Sequence, residues 1–239
     1  MSKLLYGIQP TGKIHIGNYL GGLREAIEKE ADILVAHYHS MTTKKTNIPL
    51  ATAKPLFDEI KRLGGKPFFQ KEDALYFAWK IQCVTPMSDL KRMTQFKDKG
   101  EGNVGLFTYP CLMAADIILS DCDAVIVGED QVQHMEFYRR TCKRLGIKKV
   151  AETILTETPR IMSIKDPTKK MSKSLGDDHC LYLGEDNFKK VMGAITTPEG
   201  IRNLKEIAKG LGVEYDESKN GESKRKIIEA LNLIQVKHK

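Results

Sequence analysis

The sequence predicts an α/β fold, a doubly wound parallel sheet that carries a small C-terminal α-helical appendage. Three observations lead there. Short buried-strand runs at Leu4 to Ile8, Ile33 to Ala36 and Ala124 to Val127 alternate with segments of helical apolar spacing. Alternation of this kind builds a parallel sheet with helices on both faces. Beyond about residue 185 the strand pattern stops and only helical patterns continue.

Each element has its own signal. Leu4 to Ile8 is a short apolar run that ends in Gly7-Ile8-Gln9-Pro10-Thr11-Gly12, a strand entering a turn. Ile16, Leu20, Leu23 and Ile27 then recur at helical spacing. Ile33 to Ala36 reads as a buried strand, residues 51–63 as a helix with Ala53, Leu56, Ile60 and Leu63 on one side, and Pro67-Phe68-Phe69 as another short strand. Helical patterns follow at about 74–83, 88–96 and 111–119, with Phe77 and Trp79 at positions that predict core. Ala124 to Val127 precedes a helix from Glu129 to Leu145. Asn187 to Lys209 and Lys224 to Val236 read as helices joined by the polar stretch Tyr215 to Ser223. No internal repeat or long linker is visible. The expected domains are residues 1–185 and 186–239.

Composition narrows the class. A chain of 239 residues can bury a substantial core, and 41% hydrophobic with 29% charged residues is ordinary globular usage, which excludes disordered and fibrous classes. No apolar run approaches the roughly 18–20 residues of a membrane helix, and the N-terminus lacks a signal-peptide shape. Five cysteines, none in a C-x-x-C pair, argue against a disulfide scaffold or zinc ribbon and for a reducing, cytoplasmic compartment. The formal charge of +7 favours a polyanionic partner such as nucleic acid or phosphates.

Two elements carry chemistry. There is no G-x-G-x-x-G and no P-loop string, so dinucleotide dehydrogenases and P-loop enzymes are unsupported. Near His15-Ile16-Gly17-Asn18 a helix begins just after a strand-end turn, where unpaired backbone N–H groups favour an anion. Gly17 lets a flat group lie against the backbone, and His15 and Asn18 are placed to donate to phosphate oxygens. Far along the chain, Lys169-Lys170-Met171-Ser172-Lys173-Ser174 sets three lysines within five positions of a small, polar loop. Ligands of parallel sheets sit at the carboxyl ends of the strands, and both Gln9-Pro10-Thr11-Gly12 and Gly128-Glu129-Asp130-Gln131 fall at such ends.

The pairing of the two elements resembles the class I aminoacyl-tRNA synthetases. His15-Ile16-Gly17-Asn18 is similar to their HIGH-type signature, and Lys170-Met171-Ser172-Lys173-Ser174 matches their second signature, KMSKS, in full. The strings Gly7 to Gly12, Met93-Thr94-Gln95-Phe96-Lys97, Thr108-Tyr109-Pro110, Met113-Ala114-Ala115-Asp116-Ile117, Gly128 to Gln131 and Arg160-Ile161-Met162-Ser163 look like the tryptophanyl-tRNA synthetase family, in the family's order. The resemblance spans residues 7–174. It implies a Rossmann-like catalytic domain over residues 1–185 and a reduced helical tRNA- or anticodon-binding region over residues 186–239.

The resemblance also implies roles. ATP, with substrate-associated Mg2+ and no dedicated metal cage, would lie between the signatures. Gln9, Pro10 and Thr11 would border it, Gly17 would receive adenine, and Ile161 and Met171 would flank that ring. Asn18 and His15 would reach the phosphates. Gly128, Glu129 and Asp130 would hold the ribose side. Lys170 and Lys173, with Ser172, Ser174 and a third cation at Lys99, would follow the leaving pyrophosphate. L-tryptophan would sit among Leu5, Gly7, His39, Tyr109, Met113, Asp116, Val125, Val127 and Gln131. Tyr109, Met113 and Asp116 are spaced to share one helix face. Asp116 would accept the indole N–H, and Tyr109 and Gln131 would address the α-amino group. A surface or lysine-paired Asp116 is the alternative. Trp79 and His37 are read as structural.

The sequence departs from the family in places. Asn18 replaces the second histidine of the signature, His15 stands where this branch more often has threonine, and Leu5 stands where an aromatic often borders the indole. Only 65 residues follow the KMSKS element, fewer than in bacterial members. Residues 187–239 hold 11 Lys or Arg against 7 Asp or Glu, compatible with RNA contact. The expected activity is tryptophan–tRNA ligation by a cytoplasmic homodimer acting on tRNA-Trp, with helices around Cys83 to Phe96 at the subunit contact. The alternatives are a paralogue that activates tryptophan without charging tRNA, and a non-catalytic RNA- or protein-binding relic.

Overall fold

A computed structural model of the chain describes residues 2–42, 50–93, 103–156 and 160–236. The chain forms two compact units. The first comprises Met1–Gly12, Ala26–Lys61 and Gly65–Thr156; the second comprises Lys13–Glu25, Arg62–Gly64 and Glu157–Lys239. The units differ from a division at residue 185 because the chain after Thr156 packs with Lys13–Glu25, the segment that carries the HIGH-type turn.

The first unit is built on five parallel strands: β1 (Leu4–Ile8), β2 (Asp32–Val35), β3 (Lys66–Phe69), β4 (Ala124–Val127) and β5 (Glu152–Leu155). Their order across the sheet is β3-β2-β1-β4-β5, and every neighbouring pair is parallel. The chain leaves β1 toward β2 on one side, and β4 pairs β1 on the other. That makes the gap beyond Ile8 and Val127 the topological switch point, where a doubly wound sheet opens a crevice. The expected strands are present with shifts of one residue: β2 starts at Asp32 and ends at Val35, and β3 starts at Lys66. The fifth strand was not foreseen. It is an edge strand of four residues whose outer positions Glu152 and Leu155 are exposed, so it shows neither a buried run nor a clean alternation.

Helices of the first unit are α3 (His37–Ser40), α4 (Leu50–Arg62, reaching the second unit at its last residue), α5 (Asp73–Val84), α6 (Met87–Lys91), α7 (Val104–Ser120) and α8 (Val132–Leu145), while α1 (Ile16–Asn18) and α2 (Arg24–Glu28) precede them in the chain. Leu5, Leu34, Val125 and Val127 from the sheet share one core with Ala74, Ala78 and Ile81 of α5, Cys111, Leu112 and Ala115 of α7, and Met135 and Phe137 of α8. The helix expected at 111–119 starts earlier, at Val104, because Asn103 caps it: the Asn103 Oδ1 accepts the Leu106 N–H at 2.8 Å. Pro110 lies buried inside α7 rather than ahead of it. The helix expected from Ile16 is broken by Gly21 and Gly22; Gly22 sits at φ +134°, a left-handed conformation that suits glycine. Of the pattern at 88–96, α6 covers Met87–Lys91, and residues 94–102 lie outside the described residues. Trp79 is corrected from core to surface. It is 63% exposed, whereas Phe77 packs against the core.

In the second unit the chain after Arg160 forms two short 3-10 turns and then α9 (Phe188–Met192), α10 (Pro198–Leu211) and α11 (Asn220–Val236). A single helix over Asn187 to Lys209 was expected. It is split because Thr197 caps α10 and Pro198 occupies its first position. Lys224 of α11 is buried and donates from Nζ to the Met192 and Ala194 carbonyls at 3.0 Å, closing the end of α9.

Candidate functional site

The first unit brings the expected amino-acid residues together. Gly7, at the C-terminal end of the central strand β1, is exposed, and a Cβ built on it would meet nothing within 4 Å. Open space therefore stands over the sheet at this point. Leu5, Val125 and Val127 are buried in the core, and Met113 of α7 packs against it half-buried. Tyr109, Met113 and Asp116 all lie on α7, as their spacing predicts.

Asp116 is 8% exposed, and among the described residues no lysine is bonded to it. His39 Nε2 donates to its Oδ2 at 2.9 Å, and Gln70 Nε2 donates to Oδ1 at 2.9 Å and Oδ2 at 2.8 Å. The His39 and Tyr109 rings meet edge to face with centroids 6.0 Å apart. The Tyr109 hydroxyl is hydrogen-bonded to His134 Nε2. His134 is buried, and burial is the main force that lowers its pKa from the usual 6.5 to about 4; its Nδ1 has no partner among the described residues. Burial and the Asp130 charge raise the Tyr109 phenol above its usual range, so it stays protonated. Gln70 and His134 were not singled out from sequence. Gln70 directly follows Phe69 at the C-terminal end of the parallel strand β3, a place where a polar residue is itself a signal.

At the switch point, Gln9, Pro10 and Thr11 follow β1, and the Gln9 carbonyl accepts the Thr11 N–H at 2.8 Å. Glu129–Gln131 form a 3-10 turn after β4. The Asp130 carboxylate lies over Gly128, where a Cβ would stand 2.8 Å from its Oδ1. Gln131 Nε2 donates to Asp130 Oδ2 at 2.7 Å, and its Oε1 is an acceptor. Asp130 also acts on Tyr6: burial first, and then this charge, push that phenol up to about 12. Acceptors of this kind suit an ammonium group and sugar hydroxyls.

The second unit brings the two signatures together. His15 is the N-cap of α1. Its Nδ1 accepts the Asn18 N–H at 3.2 Å, and Asn18 Oδ1 accepts the His15 N–H at 3.4 Å. With its Nδ1 lone pair used, the neutral His15 carries its proton on Nε2 and presents an N–H donor. Burial, then Lys173 and Lys170, lower the His15 pKa to about 4. Asn18 likewise keeps its amide N–H groups as donors.

The KMSKS segment pairs with the chain before it. Met171 N–H donates to the Ile161 carbonyl at 3.1 Å and Ser163 N–H to the Lys169 carbonyl at 2.8 Å, with Met162 and Lys170 in an antiparallel bridge. Ile161 and Met171 are both buried. A Cβ built on Gly17 would lie 3.7 Å from the Met171 Cβ and 3.0 Å from His15 Nδ1. The two signatures thus touch through a glycine whose missing side chain keeps the gap open. Asn203 of α10 holds the pairing from behind, accepting the Met162 N–H at 2.8 Å and donating to the Met162 carbonyl at 2.9 Å. Asn203 carried no sequence signal. Lys169 pairs with Asp166 at 3.0 Å, while Lys170 is exposed and Ser172 caps the turn Lys173–Leu175 by accepting the Ser174 N–H. Lys99 and the Thr94–Lys97 string lie outside the described residues. Among the described residues no group of three or more His, Cys, Asp or Glu is arranged to hold a metal ion.

A switch-point parallel sheet, a HIGH-type turn and a KMSKS segment held against it define a class I aminoacyl-tRNA synthetase. More narrowly, the chain belongs to the family of tRNA synthetases class I (W and Y), whose model matches residues 69–237. It is 37% identical to a tryptophan–tRNA ligase of Caldanaerobacter subterraneus subsp. tengcongensis over 265 aligned residues, 92% of this chain and 79% of that one. The solved tryptophanyl-tRNA synthetase of Mycoplasma pneumoniae superposes with a TM-score of 0.80 at 29% identity, covering 98% of this chain and 86% of the other. That of Campylobacter jejuni, complexed with ADP and tryptophan, superposes at 0.76 with 26% identity, covering 99% and 88%.

Proposed function

We propose that the chain activates L-tryptophan with ATP to tryptophanyl-adenylate and pyrophosphate, then transfers tryptophan to the 3' end of tRNA-Trp. The observation that carries this reading is the contact of the two signature segments across Gly17 within one compact unit. The reaction needs no protein nucleophile. The tryptophan carboxylate attacks the α-phosphorus in line, and catalysis is positioning and charge stabilisation. His15 Nε2–H and the Asn18 amide donate to phosphate oxygens. Lys170, Lys173 and Lys99 follow the charge onto pyrophosphate, with Ser172 and Ser174 shaping the loop. Adenine lies on Gly17 between Ile161 and Met171. Gln9, Pro10, Thr11, Gly128, Glu129 and Asp130 border the nucleotide. The residues facing the phosphates are cations and neutral donors, so Mg2+ arrives with ATP rather than in a protein cage.

Tryptophan lies over Gly7 against Leu5, Met113, Val125 and Val127, its indole N–H on Asp116 and its ammonium at Tyr109 and Gln131. Residues 186–239 serve the tRNA. The protein works in the reducing cytoplasm, in keeping with its five free thiols. It acts as a homodimer through the exposed apolar face of α5 and α6, where Leu75, Tyr76, Trp79, Val84 and Met87 stand out.

ATP–pyrophosphate exchange scanned over the standard amino acids tests the reading. A signal with tryptophan alone supports it. Silence with every amino acid overturns activation, and activation without charging of purified tRNA-Trp overturns the transfer step.

A further inference from the structure

Asp116 stands beside a cavity of about 350 Å³ that is also lined by Lys3, Lys66 and Lys71. A lone carboxylate there would turn toward the cations and water of that cavity. Gln70 opposes this. It is 4% exposed, and its Oε1 accepts the Tyr38 N–H at 3.0 Å, which fixes the amide the right way round. Its Nε2 therefore faces Asp116 and bonds both carboxylate oxygens. His39 holds Oδ2 from the other element. Each carboxylate oxygen has two lone pairs: Oδ2 uses both, on Gln70 and His39, while Oδ1 uses one and keeps the other for an incoming N–H.

We propose that Gln70 is a specificity-determining positioning residue that aims the Asp116 carboxylate at the indole N–H. The inference rests on the reading of Asp116 given above. Selection for tryptophan over phenylalanine needs a buried acceptor that cannot reorient. If Asp116 could turn to a lysine, an indole-free ligand would leave nothing unpaired, and rejection would weaken. Gln70 removes that escape without adding a charge.

Three variants separate the possibilities in tryptophan- and phenylalanine-dependent exchange: Gln70→Met, Gln70→Glu and Asp116→Asn. Gln70→Met keeps volume and loses the donor; it raises the tryptophan KM about tenfold, narrows discrimination against phenylalanine and leaves the ATP KM unchanged. Gln70→Glu keeps shape but sets a second carboxylate on Asp116. Its tryptophan KM is worst at pH 8 and recovers toward pH 6, as one proton comes to be shared between the two acids. The other charged or titratable groups around Asp116, namely His39 of α3, which is bonded to it, and Asp32 of β2, Lys3, Lys66 and Lys71, which line the same cavity, are present in every variant, so wild type supplies their share of the profile. Wild-type tryptophan KM in both Gln70 variants, or equal loss of tryptophan and ATP binding without pH recovery, overturns the proposal. Asp116→Asn distinguishes the failures: an unchanged tryptophan KM overturns the Asp116 reading and the proposal with it. A raised one beside wild-type Gln70 variants overturns the proposal alone.

Discussion

His15 and His134 are both buried and both held neutral, each with a pKa of about 4. The unfolded chain takes up a proton on each near pH 6.5 and the native chain does not. Their share of stability is therefore full above 6.5 and lost as pH falls toward 4, on the order of 2 kcal/mol per histidine by pH 5. The urea midpoint should drop steeply between pH 7 and 5, and His134→Gln should flatten that drop; an unchanged slope would contradict a neutral buried imidazole. By the same shift His15 remains a neutral donor through the physiological range, so its titration should leave no inflection near pH 6.5 in the activation rate. Lys173 works differently. In the proposed reaction it would face charge that develops only as pyrophosphate leaves, and loss of one such donor costs about 2.7–4 kcal/mol of barrier. Lys173→Ala should lose activation by roughly 100- to 1000-fold with an unchanged urea midpoint, and near-normal activation would remove it from the site.

Helix α10 depends on its first turn. Gly200 donates its N–H to the Thr197 hydroxyl at 3.3 Å, and a Cβ there would run into the Ile195 carbonyl. Gly200→Ala should cost about 1–3 kcal/mol in urea unfolding. It should also disturb the KMSKS segment, since Asn203 of the same helix holds Met162. A drop in stability with intact ATP KM would uncouple the two. Thr197-Pro198 is the cap that splits 187–209 into two helices, yet the apolar spacing alone continues across the break and reads as one helix. Strands β1, β2 and β4 were legible for the opposite reason: β2 and β4 are almost wholly buried, and all three are short runs of mostly apolar residues. Edge strand β5 was not, since its solvent side erases the run. Among site residues, those inside motif strings were visible. Gln70 and Asn203 act on other residues through side-chain hydrogen bonds, and such contacts leave no periodic trace.

Across the whole molecule the apolar surface is unevenly spread. Tyr76 and Trp79 are each 63% exposed on α5, and Met87 of α6 is exposed to the same extent. A helix of this amphipathic pattern ordinarily buries its aromatics; α5 buries Ala74, Ala78 and Ile81 instead, and its two small alanines bring it close against α7. Tyr76 and Trp79 thus stand on the outer side of α5, while Phe77 and Ile81 face the core. Water contact for two aromatics and a methionine is costly, at roughly 25 cal/mol per Å² of apolar area, and in the proposed homodimer a second copy of the chain would remove that cost symmetrically. Charge placed at the centre of such a face should break the association without touching the core. Trp79→Glu should sediment as a monomer at micromolar concentration, where the parent chain sediments at twice its mass, with the urea midpoint of the isolated monomer little changed. A parent chain that sediments at about 27 kDa under those conditions would remove the dimer and leave the patch to a different partner.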